Sequence, residues 1–154
     1  MSEPVCFDRG AYRRWMAQAA NTLESARVDA DHGFHNWCCF KAQQAGECAV
    51  KAILYGLGAP AIGHSIVVLA EKLRELGAAA YEGFMTDARL LDRHHIPPRY
   101  PDAYPSGSPH DYCDSAASGE ALRACERIVE LALEIGGQVG ERYRCSHCLR
   151  GAAR

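Results

Sequence analysis

The sequence predicts an all-α protein, an antiparallel up-and-down bundle of four or five helices. Three observations carry that prediction. Apolar residues recur at steps of three and four through most of the chain, no β-branched run with a period of two is bounded by turns, and glycine or proline punctuates the pattern so that most connections are short. The strand-like fragments VCF and SIVVL are too short and sit in helical context. A chain of 154 residues and 16.8 kDa suits one core, since single domains serve about 100 to 200 residues. The bundle is expected over residues 1–138, with 139–154 as a flexible tail.

Tyr12, Trp15, Ala19, Leu23, Ala26 and Ala30 share one face of a first helix, which Gly33 breaks. From Phe34 to Leu57 a second stripe of Cys39, Ala42, Gly46, Ala49, Ile53 and Leu57 predicts a helix roughly 35 Å long. Gly56, Gly58 and Pro60 end it. Ser65 can cap a third helix carrying Ile66, Leu69, Leu73 and Leu76, which stops at Gly77. A further helical stretch runs from about Ala78 to Arg93. Next comes HHIPPRYPDAYPSGSP, residues 94–109, whose five prolines are expected to forbid regular structure and leave a long loop. Connections of this length in compact domains are usually functional or disordered. The last helix is expected to start between Asp111 and Ser115, to carry Ala121, Cys125, Ile128, Ala132 and Ile135, and to end near Gly136-Gly137.

Composition narrows the function. A net charge of −2 supplies no global field for a polyanion, so any phosphate contact must come from a local basic patch. No run approaches the roughly 18 to 20 apolar residues that span a bilayer, and the N-terminus lacks a signal-peptide pattern, so a cytoplasmic protein with no membrane association is expected. In that setting the eight cysteines are expected as free thiols, mostly packed in helices. There is no P-loop, dinucleotide glycine fingerprint, HExxH or nucleophile elbow.

Four constellations remain. Gln44, Glu47 and Lys51 fall at i, i+3 and i+7 on the second helix, either as a solvated stripe with a Glu47–Lys51 ion pair or as a face that helps to hold Arg99. Arg89, Arg93, His94, His95 and Arg99 form the densest basic cluster, and a guanidinium can hold phosphate through two parallel hydrogen bonds. The structural alternative ties Arg99 to Asp92, Asp102 or Asp111 with Tyr100 beneath it. Histidines near arginine also suit metal-independent RNA cleavage, with His94, His95 and His110 as the catalytic candidates beside Arg99. Finally, Cys145, His147 and Cys148 give half of a tetrahedral zinc set; the rest would have to come from Cys6, Cys113 or a second chain, so zinc at the tail is not expected.

Trp15 with Ala19, the segment AQQAGECAVKAIL at 42–54, Gly63-His64 before the third helix and DRHHIPPRYPD ahead of the last one together resemble the HEPN domain family. The resemblance covers most of the chain. It implies a helical bundle like the C-terminal substrate-binding domain of kanamycin nucleotidyltransferase, a homodimer, and a small nucleotidyltransferase as partner. It also implies that the Arg99-Tyr100-Pro101 loop is a recurrent element, which makes Arg99, Tyr100, Gln44, Glu47, Lys51 and Arg93 the expected site for a nucleotide or phosphate ligand. Many relatives are ribonucleases or toxins with an Arg-x4-6-His motif near the start of the last helix. Here ten residues separate Arg99 from His110, and Arg89 reaches that spacing only with His94 or His95, upstream of the prolines. A non-catalytic binding module is therefore the leading expectation, with a metal-independent toxin-type ribonuclease acting on RNA and a ligand-free structural adaptor as the alternatives.

Overall fold

The computed structural model describes residues 6–78 and 82–142. Helix α1 (Arg9–Asp31) begins where the Asp8 carboxylate accepts from the Ala11 amide at 2.9 Å, satisfying one of the orphan donors of the first turn. It buries Met16, Ala19, Leu23 and Ala26 along one stripe. A short reversal leads into α2 (His35–Gly56), which lies against α1 over most of its length. Fifteen of the 22 residues of α2 are buried, so this helix is the centre of the bundle, touching α1, α3 (Ile66–Glu75), α4 (Glu82–Asp92) and α6 (Ser115–Arg142).

Small side chains let these helices approach closely. A Cβ at Gly46 would stand 2.9 Å from Leu91 Cδ1 and 3.1 Å from Ile66 Cδ1, so α3 and α4 seat directly on the α2 backbone. Ile53, Leu54, Ile66, Leu73, Phe84, Leu91 and Ile128 fill the core. Each is worth about 1.5 to 3 kcal/mol relative to exposure. Arg127 makes a bidentate pair with the buried Asp87 at 2.7 and 2.9 Å, linking α6 to α4.

Ser65 caps α3 as expected, its Oγ accepting from Val68 N at 3.2 Å. Other expectations need correction. Leu76 falls just beyond α3 and is 45% exposed rather than part of the stripe. The last helix does not stop at Gly136-Gly137 but runs to Arg142. Gly136 is there for space: a Cβ would lie 2.3 Å from the Tyr12 ring, whose hydroxyl donates to Ala132 O. The proline segment is not irregular either. It forms two 3-10 turns, Pro97–Arg99 and Pro101–Ala103, and one helical turn, α5 (Pro109–Tyr112). Pro97, Pro101 and Pro109 open these elements, where the ring's fixed φ is suited and the missing amide hydrogen costs nothing.

Cys38, Cys39, Cys48, Cys113 and Cys125 are free, but Cys6 is disulfide-bonded, which corrects the expectation that all eight are thiols. The Cys145, His147 and Cys148 element lies outside the described residues. No helix among the described residues is long and apolar enough to cross a membrane. Burial pushes the thiols of Cys38, Cys39 and Cys125 up to about 12. Because the thiolate is the reactive species, these three should stay unlabelled by a disulfide reagent at pH 8 in the native protein and react once it is unfolded. Native labelling at any of them, read by peptide mass, would contradict this packing.

Candidate functional site

The polar face of α2 is the starting point. Gln43 is fully buried, while Glu47 and Lys51 are 5% and 8% exposed, so the stripe is not a solvated one. The expected ion pair is present, with Lys51 Nζ donating to Glu47 Oε1 at 2.8 Å. Buried polar groups must be satisfied, and here two connections bring the partners. From the segment before α3, His64 O accepts from Gln43 Nε2 at 2.8 Å and His64 Nδ1 meets Glu47 Oε1 at 3.2 Å. From the segment after α4, His95 Nδ1 meets Gln43 Oε1 at 3.4 Å. Gln44 Nε2 completes the set by donating to Gln43 Oε1 at 2.7 Å. The His64 and His95 rings stack at 4.9 Å with 15° between their planes.

One carboxylate joins the two connections. Asp92, the last residue of α4, accepts from Ser65 Oγ and Ile66 N at 2.8 Å and from Val67 N at 3.1 Å, and so caps the N-terminus of α3 from another helix. The chain leaving α4 is held again where the buried Asn36 donates to Pro98 O at 3.1 Å.

Arg99 follows from that anchor. Its Nε donates to His95 O at 2.9 Å, and its guanidinium carbon stands 4.3 Å from the Phe40 ring centroid and 5.1 Å from that of Tyr100. The expected carboxylate tethers are not found among the described residues: Asp92 serves α3, Asp111 accepts from Ser108, and Asp102 makes no ion pair with Arg99. The terminal nitrogens of Arg99 therefore have no hydrogen-bond partner among the described residues. Beside it, Tyr100 is 45% and Trp37 is 43% exposed, and Trp37 packs edge-on against Phe40. Burial first, then Arg99 and His64, hold the His95 imidazole below its ordinary range, so it is neutral near pH 7.

The structure thus brings Gln44, Glu47, Lys51, His95, Arg99 and Tyr100 to one face. It does not bring the others there. His94 has its pKa lowered by burial and by Arg93, with Glu120 as its acidic neighbour, and Arg93 itself is exposed. His110 is bonded to Ser108 Oγ at 2.6 Å and lies 3.4 Å from Asp111, with no contact to Arg99. Sequence reasoning singles out neither Gln43 nor His64 as a site residue. Two grooves of about 390 and 490 Å³ lie elsewhere, one beside Pro60, Ile62, Val68 and Lys72 and the other beside Arg14, Trp15 and Gln18, and neither gathers convergent polar groups as this face does. Among the described residues no group of three or more His, Cys, Asp or Glu is placed to hold a metal ion.

A helical bundle with one buried polar helix face, two loops tied to it and an arginine displayed on aromatic rings defines the class. The HEPN domain family matches residues 12–135, and the chain belongs to that family. A protein of known crystal structure from Thermus thermophilus is 35% identical with a TM-score of 0.78, over 80% of this chain and 97% of that one. An archaeal HEPN homologue is 31% identical, TM-score 0.68, over 80% and 97%. An HEPN domain protein from Thermotoga maritima is 34% identical, TM-score 0.64, over 79% and 96%. Among functionally curated proteins nothing matches the chain.

The bonds to Asp92 carry a stability prediction. Replacing Asp92 by Ala removes three acceptor contacts at the start of α3 and should cost about 2 kcal/mol, lowering Tm by roughly 4–8 °C. A thermal melt checks it, and an unchanged Tm would remove Asp92 as the tie between α3 and α4.

Proposed function

We propose that this protein is a binding module for a nucleotide or another phosphate-bearing ligand seated at Arg99, acting as a homodimer beside a small nucleotidyltransferase partner. The observation that carries the reading is the state of Arg99: backbone and rings fix its direction, while its terminal nitrogens are uncommitted among the described residues. Such a fork binds two phosphate oxygens at once, and fixing it beforehand reduces the entropy lost on binding. The exposed faces of Tyr100 and Trp37 supply stacking area for a nucleobase. Support for the dimer and for the nucleotidyltransferase partner comes from family membership and the resemblance, not from the site. The toxin-type ribonuclease draws less support, because His110 is engaged by Ser108 and Asp111, apart from Arg99.

The test is a thermal melt against a panel of nucleotides, with Arg99→Ala in parallel. A ligand at about a hundred times its Kd adds roughly 2.7 kcal/mol, or roughly 5–10 °C in Tm for a chain of this size. Arg99→Ala itself should cost on the order of 1 kcal/mol, from one hydrogen bond and the ring contacts, and leave the bundle folded. The expected result is a shift in the wild type that disappears in the variant. No shift with any nucleotide, or a shift that survives in Arg99→Ala, would overturn the reading.

A further inference from the structure

One end of the bundle carries a covalent bond that the polar face does not use. Cys6 is disulfide-bonded, whereas Cys38, Cys39, Cys48, Cys113 and Cys125 are free thiols. Within the sequence only Cys145 and Cys148 remain as partners, and both lie outside the described residues. The described chain ends beside Cys6. Arg9 Nη2 donates to Gly140 O at 3.0 Å, so the start of α1 and the last turns of α6 share one corner of the bundle. Cys6 is held at that corner by its neighbours: Phe7 is buried against Gly56, and Asp8 N donates to Gly56 O at 2.7 Å. Cys6 precedes Arg9 by three residues, and Cys145 and Cys148 follow Gly140 by five and eight. At about 3.3 Å of reach per residue, either tail cysteine can approach Cys6 to the roughly 4.4–6.8 Å between Cα atoms that a disulfide needs.

We propose that Cys6, Cys145 and Cys148 form a thiol–disulfide exchange site, in which Cys6 is bonded to one cysteine of the C-x2-C pair and the other is the resolving thiol. The thiolate of the free tail cysteine attacks the sulfur of the bonded one. A Cys145–Cys148 bond forms, the bond to Cys6 breaks, and the Cys6 sulfur leaves with the electron pair and takes up the proton that the attacking thiol gave up. That step involves no net oxidation. Opening the set fully needs a thiol reductant of the glutathione class, and closing it needs the corresponding disulfide. The residue types suit the roles. RCSHCLR puts Arg144, His147 and Arg150 beside the tail thiols along the chain, and both cationic neighbours and C-x2-C spacing favour the thiolate, which is the nucleophile. Cys38, Cys39 and Cys125, pushed up to about 12 by burial, hold almost none of it. Cys6 is only partly buried, so a small thiol can reach it.

The experiment equilibrates the full chain with reduced and oxidised glutathione over a range of ratios, stops exchange with acid, alkylates the free thiols in denaturant and reads tryptic peptides by mass without reduction. The expected result is the Met1–Arg9 peptide linked to the Cys145–Arg150 peptide with one tail thiol alkylated, together with a second form in which Cys6 is alkylated and the tail peptide is closed on itself. Cys145→Ser and Cys148→Ser should each keep a link to Cys6, since either tail sulfur can take it, while Cys6→Ser should shift the tail peptide wholly to the closed form. Circular dichroism of each variant confirms the fold. Isotope-labelled and unlabelled chains oxidised together separate a link within one chain from a link between two. Cys6 alkylated at every ratio, linked to any of the five described free cysteines, or linked across two chains would overturn the proposal, as would a link kept by only one of the two tail variants. None of these results bears on nucleotide binding at Arg99.

Discussion

A central helix that buries polar side chains imposes an obligation on everything around it. Gln43 has no exposed surface and Glu47 almost none, and both sit on the helix that every other long element touches. An unpartnered amide in such a place costs about 1 to 3 kcal/mol, and an unpartnered carboxylate more. That penalty is comparable to a good part of the net stability of a domain, which is roughly 5 to 15 kcal/mol. The native conformation is therefore restricted to arrangements that deliver donors and acceptors to those two side chains. Lys51 and Gln44 are supplied by α2 itself; the others must come from loops. The segment before α3 and the segment after α4 are fixed less by their own propensities than by this requirement.

The loops are then tied to each other. Asp92 closes α4 and opens α3 at once, so a displacement of either would strand three donors. Three residues past Asp92 comes His95, whose ring meets Gln43 and whose carbonyl receives Arg99. The path from the buried amide to the displayed guanidinium contains no free joint: Gln43, His95, Arg99 and, through Asn36, Pro98 are all bonded. A guanidinium mounted in this way keeps its direction, in contrast to a long side chain on an open loop, which samples many rotamers.

How much of this can be read from the sequence differs by level. The helices announce themselves through spacing, because a 3.6-residue period is a local property of the chain. Their ends are harder. Gly136-Gly137 reads as a stop, yet Gly136 serves the ring of Tyr12 at the other end of the chain, a tertiary fact. The prolines read as breakers although three of them open short helical turns, where the same fixed φ assists. At the site, the spacing of Gln44, Glu47 and Lys51 correctly puts them on one face, but whether that face meets water or other residues depends on what packs there. A usable signal is present: Gln43 and Glu47 stand at i and i+4 within a helix otherwise rich in small apolar residues, where unmatched polar groups are costly. His64, immediately before the capping Ser65, gives no signal that spacing could detect.

The electrostatics follow from the same bonding. The chain is slightly acidic, so a site for an anion must be made by allocation rather than by excess charge. Each acid at this face is already committed: Asp92 to the amides of α3, Glu47 to Lys51 and His64. Lys51 is committed in turn to Glu47. Arg99 alone in this group keeps donors that face no carboxylate among the described residues, and Phe40 and Tyr100 stabilise its charge through their ring faces instead. Replacing either ring by an acidic side chain would keep the arginine ordered but commit its remaining donors to a carboxylate. The aromatic setting of Arg99 is thus what distinguishes it from the ion-paired Arg127.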